Sequence, residues 1–155
     1  MDAATLQHLL DRWHIELVMM PENTGIPGSF WGDDEAGLIG SRLYARPDTP
    51  LHSVLHEAGH FVCMNRRRRA QLHTNAGGTV LEESAVCFLQ VLAAGHLPGY
   101  DRDQLFADMD AWGYSFRLGS TRAWFEQDAE DARDWLIQHG ITSKDGRITW
   151  ALREG

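Results

Sequence analysis

The sequence has no long hydrophobic run, since no stretch approaches the 18 apolar residues that suggest a membrane-spanning helix. It also lacks a basic segment followed by an apolar run near Met1, the pattern of a secretory signal. Internal repeats and low-complexity segments are missing as well. These absences argue against a membrane-spanning protein, a repeat array and a disordered chain. We expect a protein of the reducing cytoplasm with no membrane partner.

Cysteine is scarce. Cys63 and Cys87 are the two cysteines of the chain, and both fall within predicted helices. We expect two buried thiols, with a single disulfide bridge as the alternative. Neither position has the spacing of a thiolate metal site.

Positive charge is also in short supply. Lys and Arg number 14 against 22 Asp and Glu, which gives a formal net charge of −8 and argues against nucleic acid as the main partner. The one basic run is the four arginines at 66–69, interpreted as a solvated helix end whose cations face free carbonyl groups. A patch for an acidic ligand is the alternative. The acidic series Asp128, Glu130, Asp131 and Asp134 is interpreted as a solvated helix face.

The apolar content is sufficient for a core without disulfides. The chain has 155 residues, of which 43% are hydrophobic, and it contains six Trp. This length predicts a single domain over residues 1–155. The periodicity of apolar residues predicts a mainly helical α+β fold with a small sheet. The predicted elements are a short helix over 6–13, strands over 15–20 and 38–44, helices over 50–65, 79–94, 101–112 and 120–139, and a final strand over 148–152.

Residues 56–60 read His-Glu-Ala-Gly-His, the pattern H-E-x-x-H. On a helix, His56 and His60 lie on one face with Cβ atoms about 5–6 Å apart, so both imidazoles can reach one metal ion. Glu57 lies about 100° further round the helix and points beside the metal, where a base for a water molecule is needed. The pattern specifies only three residues, so the surrounding sequence must show whether it indicates a metal site.

The context of the motif is an amphipathic helix. Thr49 is a suitable N-cap and Pro50 a suitable first helical residue. Apolar residues then recur at helical spacing, namely Leu51, Val54, Leu55, Ala58, Phe61 and Val62. The small Ala58 and Gly59 allow another element to approach closely, and a mid-helix Gly costs up to about 1 kcal/mol. His52 shares the face of the motif one turn earlier and is expected to be a surface residue of the first turn. The alternative to a metal site is a solvated polar face.

A catalytic zinc site usually has three protein ligands and a water molecule. The metzincin continuation of the motif fails, because Cys63 and Arg66 stand where Gly and His are required. His73 is a possible third ligand in a predicted loop. Glu82 and Glu83, at the start of the next predicted helix, are better candidates, since a carboxylate there completes a His₂Glu set.

Over roughly residues 38–95, the sequence resembles the gluzincin branch of the zincin metallopeptidases, and the specific match is at His56, Glu57 and His60. The resemblance implies a minimal zincin-like fold, one zinc ion and a peptide or protein substrate. It also implies that Glu57 takes a proton from water and passes it to the leaving amine. Two alternatives stay open: a non-catalytic or regulatory zinc-binding protein, and a zinc hydrolase of a non-peptide amide.

The resemblance also bears on the third ligand, which in this family is a glutamate followed three residues later by a small residue. Glu82 and Ala85 fit this pattern better than Glu83 and Val86. The apolar residues that follow Glu82 at helical spacing would turn it toward the core. Against this choice, Thr79 and Glu82 also form a capping box, in which the Glu82 carboxylate bonds back to the Thr79 amide. We therefore expect Glu82 to be the ligand, with Glu83 as the alternative.

Three further expectations concern the surroundings of the metal. Thermolysin-like members place an Asp four residues after the glutamate ligand, where it orients a metal-binding histidine. Val86 occupies that position after Glu82, so we expect another group, such as a backbone carbonyl, to orient the histidine. The candidates for stabilising an oxyanion are Tyr114 and Arg117. The strand over 38–44 is either an edge strand to which a peptide adds or an internal strand without that role.

Overall fold

The computed structural model describes residues 2–28, 35–72, 77–114, 116 and 118–155. Within these ranges the fold is mainly helical α+β, as predicted, with seven helices and one three-stranded sheet. The elements in chain order are α1 (Ala3–Asp11), β1 (Glu16–Met19), β2 (Gly37–Ile39), β3 (Arg42–Ala45), α2 (Leu51–Cys63), α3 (Arg66–Ala70), α4 (Val80–Ala94), α5 (Arg102–Trp112), α6 (Thr121–Gln127) and α7 (Glu130–Gln138). No helix in the described ranges is long and apolar enough to cross a membrane.

The sheet has the order β1-β3-β2, with β1 parallel and β2 antiparallel to β3. The prediction of one strand over 38–44 is wrong, because the chain reverses between β2 and β3. Gly40 has a φ of +58°, a left-handed conformation that glycine adopts at little cost. The segment thus supplies both an outer strand, β2, and the central strand, β3. On the outer side of β2, the Leu38 amide donates to the Gly28 carbonyl at 3.3 Å, so this amide is not free for an added peptide.

Two other predicted elements differ from the structure. The helix over 120–139 is divided into α6 and α7, because Asp128 and Ala129 leave the α-helical backbone conformation. The final strand over 148–152 is reduced to an isolated bridge between Thr142 and Ile148. The φ of +66° at Trp150 takes the chain out of the extended conformation a strand needs. On α7, Glu130, Asp131 and Asp134 are exposed, in agreement with a solvated face, whereas Asp128, just before α7, is half-buried.

Helices α2 and α4 pack closely at the centre of the molecule, and α7 packs against α4. A Cβ atom placed on Gly59 would lie 3.0 Å from Val86 Cγ1 and 3.4 Å from the Val86 carbonyl oxygen. The glycine in the motif therefore permits the close approach of the two helices, as the sequence suggested. Cys63 and Cys87 are buried free thiols, so the disulfide alternative is wrong.

The two ends of α2 depart in part from the prediction. The helix begins at Leu51 with Pro50 as its N-cap, and the Thr49 hydroxyl instead accepts the Arg46 amide at 2.8 Å. At the other end, the buried guanidinium of Arg69 donates to the carbonyls of Phe61 and Met64 at 3.2 and 2.5 Å. This contact agrees with cations facing the end of the motif helix, although Arg69 is buried rather than solvated.

Candidate metal centre

The two motif histidines converge on one face of α2. Their Nε2 atoms lie 3.1 Å apart, and the planes of the rings are nearly perpendicular. His60 is buried and His56 is largely so. Because residues four apart on a helix are neighbours, the spacing in the sequence is enough to produce this arrangement.

Glu83, at the start of α4, brings a carboxylate to both imidazoles. Its Oε1 lies 2.9 Å from His56 Nε2, and its Oε2 lies 3.2 Å from His60 Nε2. One donor atom from each of the three residues lies within 4.8 Å of the other two. The three could therefore hold a metal ion. Two imidazole nitrogens and a carboxylate oxygen suit zinc and other divalent transition metals.

Glu82, the residue expected as the third ligand, binds two arginines instead of facing the histidines. It is 3% exposed, and its carboxylate receives hydrogen bonds from Arg68 at 2.6 and 2.8 Å and from Arg153 at 2.9 Å. The Thr79 hydroxyl accepts the Glu82 amide at 3.1 Å, so half of the capping box is present. The apolar side of α4 does turn Glu82 inward, but there it meets two guanidinium groups instead of the histidines. The third member of the metal group is accordingly Glu83.

The unused ring nitrogens of the histidines differ in their surroundings. The Nδ1 atom of His56 lies 3.0 Å from Oε1 of Gln90, a residue with no solvent exposure on α4. The Nδ1 atom of His60 is buried without a hydrogen-bond partner in the described ranges. Gln90 was not predicted as a site residue. The sequence feature that could have identified it is a polar residue in the apolar part of α4, two helical turns after Glu83.

Burial and charge set the protonation of this group. Burial raises the pKa of Glu57, which is half-buried beside His56, to about 7. Burial, together with the charge of His56, lowers the pKa of His60 to about 4. Burial alone would raise the pKa of Glu83, but the hydrogen bond and charge of His56 lower it overall. His60 is therefore neutral and Glu83 ionised at neutral pH, the forms in which these side chains bind metals. Burial lowers the pKa of His56, but Tyr114, Cys87 and Glu83 raise it well above its ordinary value overall, so a metal ion would have to displace a proton from this ring.

The other candidate site residues predicted from the sequence differ in their distance from the metal group. His52 is buried, contrary to expectation, and its ring centroid lies 4.9 Å from that of Trp112. The ring of Tyr114 is brought to the site, 5.6 Å from the His56 ring, and burial raises the pKa of its hydroxyl. Arg117 and His73 lie outside the described residues.

A cavity of about 580 Å³ begins one turn along α2 from the metal group. Its lining includes Leu51, His52 and Trp112. This volume falls within the range of about 300–1,000 Å³ that is typical of small-molecule sites. The Tyr114 ring contacts both His52, which lines the cavity, and His56, at centroid distances of 5.7 and 5.6 Å.

Comparison of the chain with protein-family models finds no match. Comparisons with the curated proteins and with the solved structures also find no significant similarity.

Proposed function

We propose that the chain binds one zinc ion through His56, His60 and Glu83 and hydrolyses peptide bonds with Glu57 as the general base. One observation carries the proposal: three donor atoms, two of them from the H-E-x-x-H helix, lie within 4.8 Å of one another. A zinc ion held there would act as a Lewis acid and lower the pKa of a bound water molecule toward about 7.

The surrounding residues supply proton transfer and hydrogen bonding. Glu57 follows His56 on α2, so its carboxylate stands beside the ligands instead of among them. In the proposed reaction it takes a proton from the attacking water and delivers it to the leaving amine. Tyr114 keeps its hydroxyl proton at neutral pH, because burial raises its pKa. It is our candidate donor to the oxygen that becomes negative during the attack.

The first experiment measures metal content. Purified protein should hold about one zinc ion per chain, and His56→Ala or His60→Ala should abolish stoichiometric binding, because two ligands are too few for the usual site. Affinity should fall in acid, which protonates the histidines. Undiminished zinc in both alanine variants would refute the metal site.

The second experiment tests catalysis with a peptide library and the Glu57→Gln variant. This variant keeps the size of the side chain but removes the base, so zinc should stay bound while hydrolysis falls by a factor of about 10² or more. Equal cleavage by both proteins would show that Glu57 is not the base. A zinc-loaded wild type that cleaves no peptide would instead favour a non-catalytic metal protein or a hydrolase of another amide.

A further inference from the structure

We infer that Gln90 is a positioning residue that keeps a proton on Nδ1 of His56 and directs Nε2 of that ring toward the metal group. The inference rests on the proposed metal site. Gln90 is completely buried among apolar residues of α4, and a buried amide without hydrogen bonds would be costly. Its Nε2 lies 2.7 Å from the backbone carbonyl oxygen of His52, and its Oε1 lies 3.0 Å from His56 Nδ1.

The His52 carbonyl decides which way the amide of Gln90 faces. A carbonyl oxygen can only accept a hydrogen bond, so the atom of Gln90 next to it must be the NH₂ nitrogen. The amide oxygen, also an acceptor only, then faces His56. The hydrogen bond at this contact must therefore come from a proton on Nδ1 of His56.

A proton fixed on Nδ1 leaves Nε2 as the metal-binding nitrogen of the neutral ring. This Nε2 is the atom that lies 2.9 Å from Glu83 Oε1 and 3.1 Å from His60 Nε2. The opposite tautomer would place two acceptors, Nδ1 and the Gln90 oxygen, 3.0 Å apart without a proton between them. Gln90 thus favours the tautomer in which the ring can join the metal group.

Helix α4 supplies both Glu83 and Gln90, which lie seven residues apart and so on the same face after two turns. The close packing of Gly59 against Val86 holds this face against α2. His60 has no equivalent support in the described ranges, because its Nδ1 has no hydrogen-bond partner there. The Gln90 contact therefore acts on the His56 ring of the pair.

The test compares Gln90→Met with a matched control, Gln7→Met. The Gln7 side chain also bridges two groups, donating to the Ile15 carbonyl at 3.0 Å and accepting the Leu17 amide at 2.8 Å. Gln90→Met removes two side-chain hydrogen bonds and Gln7→Met removes three, because the Gln7 amide also donates to Asp11 at 2.7 Å; Gln7, however, lies on α1 and its amide contacts β1. Zinc affinity is measured by competition with a chelator, and the ring nitrogens of His56 are observed by ¹⁵N NMR in the metal-free and zinc-loaded proteins.

Loss of an outer hydrogen bond to a metal-binding histidine lowers metal affinity by about 10- to 100-fold. We expect a loss of this size in Gln90→Met and none in Gln7→Met. The hydrogen-bonded Nδ1 proton of His56 should be seen in the wild type and in Gln7→Met, and should disappear in Gln90→Met. Gln90→Glu, which restores an acceptor for His56 but not the donor to the His52 carbonyl, should recover part of the affinity.

Unchanged zinc affinity in a folded Gln90→Met variant would overturn the inference. If the wild type binds no zinc, the proposed function fails, but NMR of the metal-free protein, at a pH high enough that the His56 ring is neutral, still tests Gln90: persistence of the Nδ1 proton signal in Gln90→Met overturns the inference, and its selective loss supports it. If Gln90→Met does not fold, the wild-type spectrum decides, because a His56 without a proton on Nδ1 contradicts the geometry.

Discussion

The adjacent residues Glu82 and Glu83 should give opposite results when each is replaced by alanine. Glu83→Ala should remove the metal with little loss of stability, because its side chain is 48% exposed and faces the two histidines. Glu82→Ala should destabilise the protein but leave the metal group in place, because its carboxylate binds two arginines. The two adjacent residues thus have different expected roles: Glu83 is the proposed metal ligand, and Glu82 forms a structural ion pair.

The expected magnitudes follow from burial. Removing one partner of a buried ion pair costs about 3–5 kcal/mol. The side chains of Arg68 and Arg153 are 30% and 17% exposed, so water screens part of the uncompensated charge and we expect about 2–3 kcal/mol for Glu82→Ala. Substitution of the more exposed Glu83 should cost less, about 1 kcal/mol or below, because water screens its pairing with the histidines. Loss of a ligand should lower zinc affinity by more than the roughly 10- to 100-fold that an outer hydrogen bond is worth.

Urea unfolding of the metal-free proteins gives the two stabilities, and competition with a chelator gives the two zinc affinities. The outcome that refutes the assignment is specific: Glu82→Ala releases zinc while Glu83→Ala retains it. Equal loss of affinity in both variants, with Glu82→Ala still fully stable, would also contradict the ion pair that the structure shows.

Two further predictions concern stability. The pKa of Glu57 is about 7 in the fold, and its ordinary value is 4.5. Between these two pH values, the folded metal-free protein therefore keeps a proton on Glu57 that the unfolded chain has released. This stabilisation is complete below pH 4.5 and is lost as the pH rises through 7, so Glu57→Gln should be more stable than the wild type at pH 8 by about 1–3 kcal/mol. Parallel stability profiles of the two proteins between pH 4 and pH 8, roughly the range of the titration, would contradict this. Gly78→Ala should cost more than Gly77→Ala: both have positive φ, but only at Gly78 would the Cβ lie 2.2 Å from Glu82 Oε2. We expect about 1 kcal/mol at Gly77 and at least twice that at Gly78 in urea unfolding, and equal costs would refute the close packing.

The sequence determined the features that depend on local helix geometry. His56 and His60 converge because residues four apart lie on one face, whatever packs against them. The helices α2 and α4 were predictable from apolar periodicity, and so was the mainly helical α+β class. The turn at Gly40 was missed, because a glycine within an apolar segment also fits a continuous strand.

Tertiary structure decided which residues complete the site. Glu82 and Glu83 differ by about 100° on the same helix, so the choice between them depends on how α4 is rotated against α2. That rotation is set by the contact of Gly59 with Val86 and by the two arginines around Glu82, which lie 14 and 71 residues away in the sequence. The contact of Gln90 with His56 spans 34 residues and also exists only after the helices pack. A local sequence pattern carries no information about such contacts, because they arise from the packing of distant segments.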